Sequence, residues 1–411
     1  MGLLMVGSGL LHSVVGLRSA LEGFSTTTTG VVMSSYYLGF LIGSKQAPRF
    51  VANVGHIRTF AALAAITSSS ALVHLLVVHP GVWIVGRLAT GFGLAGLFVV
   101  AESWLNSDIT NSSRGSVLSI YLVVANGGMA AGQLLLNIGD PATARLFLIV
   151  SILFSLSLVP TSLSATSSPQ LFQPKKVSLA SVYAAAPLGV VGSLVAGAAA
   201  GAVFGAGVIY TQLAGFTLAQ TSIFMMLIIL GGAALQWPIG ALSDRMDRRK
   251  MIAITAFFSA GVCMLGIVFP SGAMLYVLAV AMGGFIFPLY SLANAHANDF
   301  MAPEDVVGAG SQLIFVNGIG SVAGPILVTA AMAKVGPSGY FWYLAWVHIA
   351  IAAYAMYRMS KRAPIAPEDQ STYASYPAES SVLVATLDPQ AWDEDDQPRF
   401  DTEELPAVEI N

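Results

Sequence analysis

Charged residues are scarce in this chain. They make up 9% of its 411 residues, whereas hydrophobic residues make up 55% and the mean hydropathy is +0.74. Soluble globular proteins carry roughly 25% charged residues. The composition therefore excludes an ordinary soluble domain and indicates a membrane protein.

Residues for covalent, redox or phosphate chemistry are missing too. Cys263 is the single cysteine, which excludes an internal disulfide, and the sequence holds no metal or redox motif. No Walker-type glycine-rich loop is present, so ATP is not expected as the energy source. Because no cluster of nucleophile, base and metal ligands emerges, we expect no enzymatic activity, no cofactor and no nucleic-acid partner.

What the sequence does contain is long apolar stretches. A helix needs ~20 mostly apolar residues to cross a bilayer, and the sequence offers about twelve such stretches, beginning at Gly2. The ~10-residue alternation of membrane β-barrels does not occur. We therefore predict an all-α membrane protein with about twelve transmembrane helices. Whether a short leader precedes Met1 stays open.

The predicted spans fall into two halves. We expect a six-helix bundle over residues 1–163, a cytoplasmic linker over 164–186 and a second six-helix bundle over 187–360. The linker is rich in serine and proline and carries Lys175 and Lys176. Residues 361–411 hold most of the acids, with twelve of the 21 acidic residues after Pro364, and we predict a disordered cytoplasmic tail there.

Weak internal repetition supports two pseudo-symmetric halves. A shift of 192 places Gly39 on Gly231, and a shift of 191 places Asn126 on Asn317. Such matches suggest a duplicated six-helix unit. Two parallel repeats with a substrate site near the midplane are typical of alternating-access transporters.

The distribution of lysine and arginine predicts the orientation. Cytoplasmic loops are enriched in these residues, and both termini are predicted to be cytoplasmic because thirteen of the eighteen would then lie at inner loops or ends: Lys45, Arg49, Arg58, Arg114, Lys175, Lys176, Arg245, Arg248, Arg249, Lys250, Arg358, Lys361 and Arg362.

The densest charge cluster follows the eighth apolar stretch. Six of the seven residues from Asp244 to Lys250 are charged, within the sequence GALSDRMDRRK. This loop resembles the signature loop of the major facilitator superfamily, which implies a cytoplasmic gate that includes Asp244, Arg245 and Arg248. Asp247 stands where that family usually has glycine. The alternative is that the cluster only fixes topology and binds anionic lipid.

Two further motifs strengthen the resemblance. GRLATGFGLAG places Arg87, Gly91 and Gly93 at the spacing seen in the fourth helix of many facilitators, although Arg87 could equally extend to water at the membrane edge. Glu102 followed by Arg114 is similar to the inner-gate charges of sugar-porter facilitators. By that resemblance, Glu102 would pair with Arg114 or Arg245 where the halves meet, although an idle Glu102 near the end of its span is the alternative.

The likeness extends to a narrower group. The pattern E-S-x-L-N, followed by R-G-x-x-L-x-x-Y and G-x-x-x-G-Q, resembles the YcaD-like branch of bacterial facilitators. It covers roughly Gly2 to Met359 and implies the fold far more than the substrate.

Polar side chains within apolar spans are candidates for a substrate or proton path, because facing lipid is costly. The candidates are Arg18, Glu22, Tyr36, Arg87, Asn126, Gln133, Gln236, Asn294 and Asn317. Arg18 and Glu22 could instead form a local ion pair. Asn126 and Gln133 could either recognise a substrate or hold helices together.

These observations predict a secondary active transporter of a small solute that works by alternating access, through efflux or proton-linked transport. No carboxylate is predicted near the midplane, which disfavours proton-coupled export of cationic drugs; Glu22 and then Glu102 are the candidate proton carriers. We expect a monomer in the lipid bilayer that binds a small molecule, with a proton as an optional second partner. The alternative is a non-transporting membrane receptor or scaffold whose acidic tail binds a partner.

Overall fold

The computed structural model describes residues 1–107, 111–163, 176–377, 381 and 384. Within these ranges almost all of the ordered chain is helical. The α-helices, in chain order, are α1 Gly2–Leu21, α2 Thr26–Val54, α3 His56–Leu76, α4 Pro80–Ser107, α5 Asn111–Leu134, α6 Arg145–Ser162, α7 Leu179–Ala185, α8 Pro187–Leu213, α9 Leu218–Ser243, α10 Arg248–Val268, α11 Ala273–Ile286, α12 Pro288–Asn298, α13 Val306–Val335 and α14 Gly339–Met359.

Among the described residues, ten segments are long and apolar enough to span a bilayer, with α11 and α12 forming one of them. Two further long helices, α2 and α14, have 29 and 21 residues and bring the total to the predicted twelve. α2 packs between α4 and α13, and α14 packs against α10 and α13. The prediction of an all-α membrane fold with two six-helix bundles is confirmed.

One predicted span is broken. The tenth apolar stretch forms α11 and then α12, with the break at Phe287 and Pro288. Proline lacks the amide hydrogen that would continue the helix ladder. The Phe287 ring fills the break and stacks on Phe204 with ring centroids 5.3 Å apart.

The two bundles repeat one another at the turns. Gly23 and Gly215 both adopt positive φ angles, 75° and 78°, a backbone conformation that glycine adopts without strain. Each is followed by phenylalanine and then by a hydroxyl residue, Ser25 or Thr217, whose side chain caps the next helix. The second turn lies 192 residues after the first, as the predicted repeat requires.

The same offset of 192 governs the closest helix contacts. A Cβ atom at Gly39 would collide with the Leu88 carbonyl, and one at Gly231 would collide with the Val280 carbonyl. A second pair behaves alike: Gly91 abuts the Tyr36 carbonyl, and Gly283 abuts the Ile228 carbonyl. α2 therefore packs on α4 as α9 packs on α11, backbone against backbone.

The same offset relates the other helices of the two halves. Gly9 abuts the Met129 carbonyl as Gly201 abuts the Ser321 carbonyl, and each residue of the second pair lies 192 positions after its counterpart. Asn317 therefore corresponds to Ala125. The predicted shift of 191, which matched Asn126 with Asn317, is wrong by one residue for these helices.

Two predictions about the connections need correction. In the linker predicted over 164–186, residues 164–175 lie outside the described residues, but Leu179–Ala185 forms the short helix α7, which Ser178 caps. The tail predicted to be disordered from residue 361 instead contacts the bundles through Arg362 and residues 370–377, and Ser381 and Val384 are buried. Its other residues after Pro377 lie outside the described part of the chain.

We predict that Gly39→Ala destabilises the protein, because the added methyl group would press on the α4 backbone. Overpacking of this kind costs about 1–3 kcal/mol. Thermal unfolding of the purified protein would show a melting temperature lower by several degrees. Gly127→Ala is the matched control, since nothing lies within 4 Å of a Cβ atom there. Equal melting temperatures for the two variants would contradict the proposed close packing.

Candidate functional site

A cavity of about 500 Å³ lies between the two halves. α2 and α13 supply most of its wall, and the described residues that line it include Tyr36, Tyr37, Phe40, Lys45, Gln312, Phe315, Asn317 and Ser321. Lys45 and Pro48 place its mouth at the end of the bundle where Met1, Met359 and the turn after α9 lie. We call this end the tail face and the other end the far face.

The far face is closed by direct contacts between the halves. Ser34 in α2 donates a hydrogen bond to the Val322 carbonyl of α13 at 2.5 Å. Ser222 in α9 donates to the Gln133 carbonyl of α5 at 2.6 Å and accepts from the Asn137 side chain at 3.0 Å. The cavity is thus sealed at one end of the bundle and extends toward the other.

Two predicted path residues line this cavity, and a third lies behind its wall. Tyr36 and Asn317 face it from opposite halves. The Arg87 guanidinium is buried, with its central carbon 4.6 Å from the centre of the Tyr36 ring, and His12 packs edge-on to the same ring at 4.4 Å. Arg87 therefore supports the aromatic wall from within the protein and does not extend to the membrane edge.

The other amide candidates hold helices together. Gln133 accepts a hydrogen bond from Ser13 at 2.5 Å and donates to the Gly9 carbonyl at 2.8 Å, which joins α5 to α1. Asn126 donates to the Leu122 carbonyl of its own helix. Asn294 is buried in α12 away from the lining. These three residues are not cavity residues in this conformation.

Arg18 and Glu22 form the local ion pair that was the alternative to a path role. Their charged atoms are 2.5 Å apart, and Arg18 also donates to the carbonyls of Pro141 and Ala142. They lie at the far-face end of α1, outside the cavity lining.

The predicted gate residues Asp244 and Arg248 belong to a cluster with Asp299. Arg248 is 1% exposed; its Nε lies 3.0 Å from Asp299, and its Nη2 lies 3.1 Å from Asp244. Burial raises the pKa of Asp299, and the Arg248 charge offsets part of that effect. We call Asp244, Arg248 and Asp299 the gate cluster.

The other charges of this turn have separate roles. Burial raises the pKa of Asp247, but hydrogen bonds from Arg249 outweigh it and hold that pKa below the usual range. The Asp247 carboxylate also caps α10 by accepting from the Arg249 amide at 3.0 Å. Arg245 is exposed. Asp247 therefore starts the helix that positions Arg248.

Glu102 does not pair with Arg114 or Arg245 in the described contacts. It is fully buried and accepts a hydrogen bond from the Tyr121 hydroxyl at 2.7 Å, and from Ser381 of the tail. Arg114 donates to Asn106. The predicted pairing of Glu102 is therefore not formed between the described residues.

Gln236 also contacts the tail. Its side-chain amide donates to the Tyr376 carbonyl at 2.9 Å and to Ser291 at 3.3 Å. Tyr376 and Pro377 themselves line the cavity. Sequence reasoning missed this segment because it treated everything after Pro364 as one acidic stretch, although residues 370–387 carry Glu379 as their one acid.

The aromatic wall was also largely missed. Phe40, Phe287 and Phe315 line the cavity beside the predicted Tyr36. Apolar rings in an apolar span give no signal by themselves, since lipid-facing and cavity-facing rings look alike in composition.

Comparison with known proteins shows which family this chain is similar to. A family model described as Major Facilitator Superfamily matches residues 190–392. An uncharacterized MFS-type transporter of Yersinia pestis is 27% identical over 383 residues, which cover 91% of this chain and 96% of that protein. The chain is similar to the major facilitator superfamily. The predicted resemblance is confirmed, as is the expectation that this is a transporter-family protein and not an enzyme.

Other relatives agree on the branch and the fold. The MFS-type transporter YcaD of Escherichia fergusonii is 28% identical over 80% of this chain and 86% of that protein. The nucleoside transporter NupG superposes with a TM-score of 0.70 at 16% identity, covering 88% of this chain and 97% of that one. A bacterial homologue of the lysosomal transporter Spinster, in an inward-facing and occupied conformation, gives 0.69 at 14% identity, covering 91% and 98%. At these identities the two structures support the fold alone.

We predict that Asp299→Ala destabilises the protein more than Asp244→Ala does. Asp299 is 2% exposed, and its loss leaves the buried Arg248 charge with Asp244 as its remaining carboxylate in the gate cluster, which is 35% exposed. Breaking a buried ion pair costs about 3–5 kcal/mol, and an exposed pair contributes about 0–1 kcal/mol. Melting temperatures of the two purified variants test this order, and the reverse order would contradict the assignment.

Proposed function

We propose that this protein is a secondary active transporter that moves a small solute by alternating access of the cavity between its two halves. The observation that carries the proposal is a cavity bounded by both halves, sealed at the far face by Ser34 and Ser222 and extending to the tail face. Rocking of two bundles around a central site is the general mechanism of such repeats. The cavity is complete within one chain, which supports a monomer.

The lining favours a solute with an apolar ring and no positive charge. Aromatic side chains form much of the wall, with amides at Gln312 and Asn317, and its charged members among the described residues are Lys45 and Lys176. Ligand sites commonly combine apolar walls with a few polar groups that fix orientation. A cation would meet lysines here without a carboxylate among the described lining residues.

The energy source that fits this chain is an existing gradient of solute or protons. The gradient would drive efflux or proton-linked transport. For a proton-linked cycle we propose Glu102 as the carrier, because it is a fully buried carboxylate on the tail-face side whose hydrogen-bond donors include Ser381. Glu22 is less suitable, since Arg18 neutralises it at 2.5 Å.

We propose that the tail face is cytoplasmic and that the protein resides in the cell's inner membrane. Basic residues crowd this end of the bundle, as at Lys45, Arg49 and the turn from Arg245 to Lys250. The positive-inside bias favours that orientation. Both termini would then be cytoplasmic, because α1 starts and α14 ends at this face.

A ligand screen tests the charge preference of the cavity. A ligand that binds the folded state alone raises the melting temperature, and the rise grows with the ratio of its concentration to its Kd. We expect stabilisation by members of a panel of uncharged and anionic aromatic solutes, and none by quaternary-ammonium analogues of similar size. Stabilisation by the cationic analogues alone would contradict the proposed substrate class.

Flux measurements test transport itself. In proteoliposomes loaded with a stabilising solute, we expect Asn317→Leu to reduce flux at least about tenfold, the effect of losing ~1.4 kcal/mol of hydrogen bonding. Asn126→Leu is the matched control because its amide bonds its own helix outside the cavity lining. Equal flux through both variants would favour a receptor or scaffold, which would tolerate either change.

A further inference from the structure

Part of the C-terminal tail lies across the tail-face mouth of the cavity. It begins on the second half, where the Ser371 amide and hydroxyl donate to Asp299 at 2.9 and 2.7 Å. Arg248 donates to the Ser371 carbonyl, and the Tyr373 amide donates to Asp244 at 3.0 Å. All three members of the gate cluster are thus engaged by tail residues.

The tail then enters the mouth. The Tyr376 amide donates to Ser291 at 3.1 Å, and its carbonyl accepts from Gln236 at 2.9 Å. The Tyr376 side chain is 4% exposed and lies against Tyr290, with ring centroids 6.0 Å apart. Because the backbone itself is hydrogen-bonded to buried side chains of α9 and α12, this is a shaped binding site and not a loose contact.

The tail finally reaches the first half. The Ser381 amide donates to Glu102 at 3.2 Å, and its hydroxyl donates to the second carboxylate oxygen. Val384 is buried beside Leu118 and Tyr121 of α5. Tail residues therefore contact both halves at the end of the bundle where the halves are apart.

We infer that the groove formed by Glu102, Gln236, Ser291 and the gate cluster is a binding site for the chain's own Ser371–Pro377 and Ser381, which we call the docked segment. While bound, the docked segment obstructs the mouth and prevents the halves from meeting at the tail face. Opening of the far face requires its release, so the docked segment holds the transporter in one conformation.

The physical basis is competition for the same side chains. Closure at the tail face would bring Glu102 and the gate cluster toward one another, but the docked segment now supplies their hydrogen-bond partners. A short tether from Met359 holds the segment at an effective concentration of the order of mM. Even weak contacts therefore keep it bound until a competing interaction displaces it.

Thiol labelling of the full chain tests this inference. In a Cys263→Ser background, Ser34→Cys reports opening of the far face, because Ser34 is buried there against α13. We expect Tyr376→Ala combined with Ser381→Ala to accelerate its reaction with a membrane-impermeant maleimide at least about fivefold, the lower end of ordinary coupling between sites. Glu368→Gln, at an exposed tail residue, is the matched control and should leave the rate unchanged.

A second reporter measures docking directly and does not depend on folding of the Tyr376→Ala, Ser381→Ala variant. Ser381→Cys in the same background should react slowly, and Gln236→Leu with Ser291→Ala, on the other half, should accelerate its reaction. An unchanged Ser381→Cys rate would overturn the docking site. Accelerated Ser381→Cys labelling with an unchanged Ser34→Cys rate would overturn the conformational effect.

The functional role of the docked segment rests on the proposed transport function, but the labelling experiment needs no substrate. If labelling responds as expected while no solute is transported, the docked segment stands and the transport proposal fails. If flux is observed but neither reporter responds, the transport proposal stands and the docked segment fails.

Discussion

Backbone-to-backbone packing at glycine is the constraint on which this structure depends. In a bilayer there is little hydrophobic drive between helices, so association relies on close packing and hydrogen bonds. Gly39 and Gly91 let α2 and α4 touch along their backbones, and Gly231 and Gly283 do the same for α9 and α11. Each half is thereby tied together from within. The contacts between halves are fewer and include the hydrogen bonds of Ser34 and Ser222, which makes the boundary between halves the natural place for movement.

The roles of the charged residues depend on their position at the boundary between the halves. Asp244, Arg248 and Asp299 form one network at the end of the second half, in which Arg248 and Asp299 are buried, and Glu102 is buried at the same end of the first half. Buried charges need partners, and removing a partner is costly. In this conformation the docked segment supplies partners to both groups. The same carboxylates can therefore stabilise either a tail-bound open mouth or a closed one, and the competition between these states is the proposed switch.

Much of the architecture was predictable from the sequence. Apolar length alone indicated the number of crossings, and the Asp244 turn and the Arg87 motif indicated the family, because both patterns are local. The 192-residue register between the halves was predictable from Gly39 and Gly231, but the match of Asn126 with Asn317 was wrong by one residue, because two adjacent identities are too few to fix a helix register.

The site was harder to predict than the fold. Tyr36 and Asn317 do line the cavity, although the Asn317 amide also donates to the Ser193 carbonyl of α8. Gln133 and Asn126 are equally polar but bond helix backbones outside the cavity lining. Composition does not tell which way a side chain points. The docked segment was missed for a related reason: its partners lie more than a hundred residues away in sequence, and its binding depends on backbone groups that every residue possesses.

The central claim is that two rigid halves move against each other about a fixed cavity. Pulsed electron paramagnetic resonance on spin-labelled pairs tests it most directly, with Ala52→Cys and Ala302→Cys across the tail face, Thr27→Cys and Ala333→Cys across the far face, and Thr27→Cys and Val85→Cys within one half. When a stabilising solute is added or the docked segment is disrupted, the account predicts opposite changes in the two distances across the halves and a constant distance within the half. A shift within the half, with both distances across the halves unchanged, would contradict it.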